Sequence, residues 1–140
     1  MTQWRQLAID SHYQTAIAIK NELEANQIES AKQGLEELIE ALSRSDKRAL
    51  KSQTIRLMMH IIKWKTQPEK RTPSWVYSIE SARMEIADLL ADEPSLKPTI
   101  ESLHDELFKK AKKLAEAEMN LKSEIVELNR AELFEQEYII

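Results

Sequence analysis

An all-α fold is predicted by three features of this 140-residue chain. One Gly and four Pro leave few backbone breaks, and the chain is rich in Ala, Leu, Glu, Lys and Gln, all good helix formers. No alternating apolar–polar stretch of strand length occurs. Large apolar residues instead recur at helical spacing between a handful of breaks. The length suits one domain, 1–140, with enough buried surface for its own core. The expected architecture is a single-domain bundle of about five helices around a buried central helix at about 46–66.

The first helix is expected over 3–25, with Trp4, Leu7, Ala8, His12, Ala16, Ile19 and Leu23 inward and Ile9, Tyr13 and Ile17 as a flanking line. Ser11 and His12 interrupt the pattern and allow a break there. Asn26 is a suitable left-handed stop. A second helix is expected over 30–43, capped by Ser30, with Leu35, Leu38, Ile39 and Leu42 as its buried edge. Gly34 inside it costs about 1 kcal/mol against Ala, which implies a close helix approach. Ser43–Ser45 reads as a short hinge, or as a join into one longer helix.

The central helix carries the densest apolar run. Seven of the ten residues from Ile55 to Trp64 are large and apolar. A helix apolar around most of its girth is normally enclosed by neighbours. The expected start is Ser45 or Asp46 as N-cap, and Pro68 turns Gln67 out of the helix. Thr72 then caps a fourth helix with Pro73 in its first turn. Trp75, Ile79, Ala82, Ile86 and Leu89 or Leu90 face inward. A fifth helix is expected after Ser95, with Ile100, Leu103, Leu107, Ala111 and Leu114 inward. It stops near Met119 with Asn120 in the left-handed region, or continues to Leu128. With the earlier stop, Asn129 and Glu132 box the start of a short helix in a docking tail, 122–140.

The net charge of −4 conceals an asymmetry. Residues 44–72 hold nine basic and two acidic side chains; the remainder hold eleven and twenty-two. Such a block can steer an anionic partner, or simply be neutralised by acidic helices of the same fold. It lacks the interleaved aromatics of a base-stacking platform, and the chain is not basic overall.

The polar residues breaking the central apolar run, Arg56, His60 and Lys63, share one helical stripe that Gln67 prolongs, and Arg71 follows in the turn. Arg56, His60, Lys63, Gln67 and Arg71 are the candidate binding residues. His60 is the sole candidate for catalysis, as a general base; two flanking cations favour its neutral form. The competing reading is a half-buried His bonded to backbone or Glu. Glu101 and His104 form a Glu-x-x-His pair, but neither His12 nor His60 has the matching Glu. No metal site or cofactor is expected; a single Gly leaves phosphate loops nothing to build on. With no Cys and no long apolar run, a cytoplasmic protein without a membrane span is expected.

The stretches LEELIEALSRSDKRAL (35–50), LMMHIIKWKTQPEKRTPSW (57–75) and DEPSLKP (92–98) resemble the family known as domain of unknown function 29. The resemblance covers about 28–121 and departs at both ends, where the family's Tyr-x-Trp and Cys-Pro motifs have no counterpart. It implies a small helical domain and supplies no catalytic residue, substrate or cofactor. The helix-rich composition, the absence of catalytic motifs and the apolar repeat over 100–128 lead to the expected function, a non-enzymatic interaction or adaptor role with a protein partner or a second copy of the chain. A nucleic-acid-associated regulator using 44–72 is the alternative, and an enzyme centred on His60 the third reading.

Overall fold

The computed structural model describes residues 3–140. Among them are six α-helices, two short 3-10 turns and no strand. The helices are α1 (Trp4–Asp10), α2 (His12–Glu24), α3 (Ile28–Thr66), α4 (Pro73–Asp92), α5 (Lys97–Met119) and α6 (Arg130–Phe134). They form two compact units, the first ending at Lys47 and the second Arg48–Ile140. No described helix is long and apolar enough to cross a membrane.

In the first unit the interruption at Ser11 is a true break. Ser11 is extended (φ −161°, ψ 113°) and its side chain accepts from the Gln14 N–H, so one residue closes α1 and caps α2. Asn26 takes φ 60° and ends the α2 turn as its residue type suggests. The core here is small: Trp4, Ile19, Ala31 and Leu38, with Leu7 and Ala18 packed beside them. Gly34 admits the Trp4 ring, since a Cβ there would lie 2.7 Å from Trp4 Cε3 and 2.9 Å from Ile19 Cγ1. The Trp4 indole N–H donates to Ser30 Oγ at 3.3 Å.

Two expectations are corrected here. The second helix and the central helix are one 39-residue element, so neither Ser30 nor Ser45 nor Asp46 is an N-cap. Nothing at 43–45 is strong enough to interrupt a helix: Ser costs only a few tenths of a kcal/mol, and Arg44 is bonded to Glu40 one turn back at 2.7 Å. The seam of α3 in this unit is also rotated from the expected edge. Ala31, Gly34, Leu38 and Ala41 are buried, whereas Leu35, Ile39 and Leu42 are 47%, 59% and 41% exposed. Small residues allow the close approach, and the larger ones are left outside it. In α1 and α2, Ile9, Tyr13, Ile17 and Leu23 are likewise exposed.

The second unit contains the main core. Leu57, Met58, Ile61 and Ile62 on α3 are fully buried, as expected of an enclosed helix. Against them pack Ile79, Ala82 and Ile86 of α4 and Leu107, Phe108, Ala111 and Ala115 of α5. Thr72 caps α4 by accepting from the Trp75 N–H. Ser95 does not cap α5: it lies in a 3-10 turn, Pro94–Leu96, whose cap is the Glu93 carboxylate. Leu114, expected inward, is 50% exposed. The α5 stop follows the shorter reading, with Asn120 left-handed at φ 53°. Beyond it Asn129 and Glu132 make the reciprocal capping box of α6, and Tyr138 docks while Ile139 and Ile140 remain exposed.

Candidate functional site

The five residues singled out from the sequence all lie in the second unit, on α3 or just after it. Arg56 is half-buried, and its Nη1 reaches Gln53 Oε1 and Ser81 Oγ, both at 3.3 Å. One turn on, His60 Nδ1 lies 2.8 Å from the Arg56 carbonyl. A carbonyl only accepts, so the neutral ring carries its proton on Nδ1 and keeps Nε2 as acceptor. Burial lowers the His60 pKa most; the Arg56 carbonyl opposes this, the Lys63 and Arg56 charges reinforce it, and Glu118 opposes it. The net direction is below the ordinary 6.5. The flanking cations act in the expected direction, but desolvation is the leading cause.

Lys63 is buried. Its ammonium bonds Glu118 Oε1 of α5 at 2.7 Å and stands 4.9 Å from the centre of the Trp75 ring. A buried cation needs such compensation. Gln67 is buried at the end of the stripe. Arg71 turns back on the helix: its Nε donates to the Trp64 carbonyl at 3.0 Å, and its guanidinium lies 4.4 Å from the Trp64 ring centre. Arg56, His60 and Lys63 thus adjoin one another, while Arg71 is engaged by Trp64 at the helix end.

A second polar cluster had no sequence signal beyond the Asn129–Glu132 box. Arg83 of α4 donates from Nε to the Leu133 carbonyl at 2.7 Å and from Nη2 to the Glu132 carbonyl at 3.1 Å. The Tyr138 hydroxyl donates to that same Glu132 carbonyl at 2.7 Å. Lys65 pairs with the Glu132 carboxylate. Burial raises the Glu132 pKa, but the Lys65 bond and charge and the Asn129 backbone bond together bring it below the usual value. Burial pushes Tyr138 up to about 12. These contacts bind α6 and the tail to α3 and α4. Those of Arg83 and Lys65 span about fifty residues or more of sequence, so periodicity could not reveal them.

Chemically, the α3 stripe offers a neutral imidazole acceptor beside satisfied cations. Its titration has a measurable consequence. The folded-state pKa of His60 is depressed, so its contribution is complete above 6.5 and is lost as pH falls through the lower folded value. Urea denaturation across pH 7.5 to 5 is expected to show stability falling on acidification. His60→Asn, which keeps a donor for the Arg56 carbonyl, should flatten that part of the profile. An unchanged slope in the variant would remove His60 as the source.

Among the described residues, no group of three His, Asp or Glu side chains is placed to hold a metal ion. Glu101 and His104 instead border a small cleft with Asp105 and Phe134. None of the five α3-stripe and turn residues lines the larger cleft of about 780 Å³ beside α4, α5 and α6.

No curated protein and no solved structure compared with the chain matches it. The sequence model of the family described as "Domain of unknown function DUF29" matches residues 8–138. That match reaches past the 28–121 stretch of motif resemblance at both ends and takes in the α1–α2 break, the α6 box and Tyr138. Since it spans nearly the whole sequence, the chain belongs to the DUF29 family.

Proposed function

We propose that this protein is a non-enzymatic helical interaction module that pairs with a second copy of itself through the first half of α3. The supporting observation is the stripe Ile28, Leu35, Ile39 and Leu42, exposed by 44%, 47%, 59% and 41%. At 100° per residue these four fall within an arc of about 60°. Contiguous apolar surface on a soluble chain usually marks an interaction site.

The pattern favours an isologous, antiparallel pairing, in which each contact occurs twice. A twofold axis beside Ile39 sets that residue against its own copy. It brings Leu35 beside Leu42 of the partner subunit and Lys32 beside Asp46 of the partner subunit. The charge pair at the rim fixes the register. The nucleic-acid reading has less support. Within 44–72, Arg44, Arg56, Lys63, Lys65 and Arg71 are already engaged by groups of this chain, which leaves fewer cations to follow a phosphate backbone.

Sedimentation equilibrium is the test. Wild type is expected to dimerise at tens of micromolar, and Ile39→Glu to be monomeric with unchanged helicity. Lys32→Asp and Asp46→Lys should each weaken the dimer several-fold, a size typical of rim charges, and the double exchange should restore it. A wild-type chain still monomeric at about 1 mM would overturn the proposal.

A further inference from the structure

One cleft lies wholly within the second unit, against α4, the start of α5 and α6. Its volume of about 780 Å³ falls in the range of small-molecule sites. The floor is apolar: Ile86 and Ile100 are buried, and Leu90 and Phe134 are half-buried. Three cations line it, Arg83, Lys97 and Arg130, against one carboxylate, Glu101.

The three cations differ in how they are held. Arg83 is 15% exposed and fixed by its two bonds to the α6 carbonyls. Its remaining nitrogen, Nη1, is 3.6 Å from Glu80 Oε1, too far for a hydrogen bond. Arg130 is exposed, with its guanidinium 5.6 Å from the Phe134 ring centre. Lys97 is exposed in the first turn of α5, the end of a helix that disfavours a cation. Neither Lys97 nor Arg130 has an ion-pair partner among the described residues. Arg83 keeps a loose ion pair with Glu80, so the uncompensated charge at the cleft is that of Lys97 and Arg130, and an apolar floor beneath them is complementary to one class of ligand.

We propose that this cleft binds a small organic anion with an apolar body, its head at Arg83, Lys97 and Arg130 and its body over Ile86, Leu90, Ile100 and Phe134. Carboxylate and phosphate heads share the required chemistry: oxygen acceptors for guanidinium and ammonium donors. Arg83, already rigid, supplies preorganised donors, while Lys97 and Arg130 close on the head from the rim. The site uses no residue of the α3 stripe, so it stands or falls independently of self-association.

The test uses the full chain with sodium decanoate and decyl phosphate below their micellar concentrations, followed by NMR shift mapping and calorimetry. Saturable one-to-one binding is expected, with shifts at Ile86, Leu90, Ile100 and Phe134. Tighter binding of either probe identifies the preferred head group and supports the site. Decyltrimethylammonium and inorganic phosphate should each bind at least about tenfold more weakly, one carrying the opposite charge and the other lacking the apolar body. Lys97→Gln with Arg130→Gln should weaken decanoate about tenfold or more without moving the urea midpoint. Ala87→Trp, at an exposed lining position, should block binding sterically. The proposal is overturned by equal affinity for the cationic amphiphile, by wild-type affinity in the double variant, by shifts confined to the α3 stripe, or by no saturation at about 1 mM.

Discussion

Trp64→Ala is expected to cost about 3–5 kcal/mol, the usual loss for truncating a large buried aromatic. Trp64 is buried near the end of α3, and its ring meets Tyr138 edge-on with centroids 5.5 Å apart. Arg71 covers the ring and ties its own Nε to the Trp64 carbonyl. Truncation therefore empties a large volume and also removes the aromatic partner of the docked tail. The edge-to-face pair adds about 0.5–1.5 kcal/mol to area burial. Net stabilities of domains are only about 5–15 kcal/mol, so the variant should unfold at far lower urea. Hydrogen exchange at 130–138 should rise with it. Trp64→Phe, which keeps a ring against Tyr138, should lose much less. A midpoint for Trp64→Ala corresponding to under about 1 kcal/mol would show that this aromatic contact is not a principal support.

Gly34→Ala is expected to destabilise the first unit although it improves helix propensity. The substitution gains about 1 kcal/mol from a better helix former. Its Cβ, however, would sit 2.7 and 2.8 Å from two Trp4 ring carbons and 2.9 Å from Ile19 Cγ1. Overpacking of this kind costs about 1–3 kcal/mol, and a rigid indole gives way less readily than a flexible chain end. With so few buried side chains in this unit, the collision has little room to spread. Gly34→Leu should be worse. Hydrogen exchange over 4–24 is the direct readout, because it reports opening of α1 and α2 apart from the second unit. In a Trp4→Leu background the Gly34→Ala penalty should shrink, with coupling of about 0.5–3 kcal/mol. Faster exchange in the glycine parent than in Gly34→Ala would contradict the close-approach account.

The fold class, the enclosed run Leu57–Ile62, the Thr72 cap, the Asn120 stop and the Asn129–Glu132 box were legible because each rests on local chemistry. Periodicity, capping and backbone preference act within a few residues, and all are visible in one dimension. The rotation of the α3 seam was not legible. Leu35, Ile39 and Leu42 follow a good amphipathic spacing, and only the Trp4 ring lying on Gly34 shows that the small residues face inward. The hinge reading at 43–45 over-weighted serine, whose helix penalty is easily outweighed by its neighbours. At the α3 stripe, sequence found the residues but not their partners. Glu118 is fifty-five positions from Lys63, and Arg83 holds α6 through backbone carbonyls that no side-chain pattern announces.

The concealed Lys63 ammonium also sets an order of chemical reactivity. Acylating reagents need an unprotonated, reachable amine, and among the described residues Lys63 is the one buried lysine. Brief treatment of the native protein should acetylate the exposed lysines and spare this one. Its labelling rate then becomes a clock for α5 lifting away from α3, readable by mass spectrometry without any substitution.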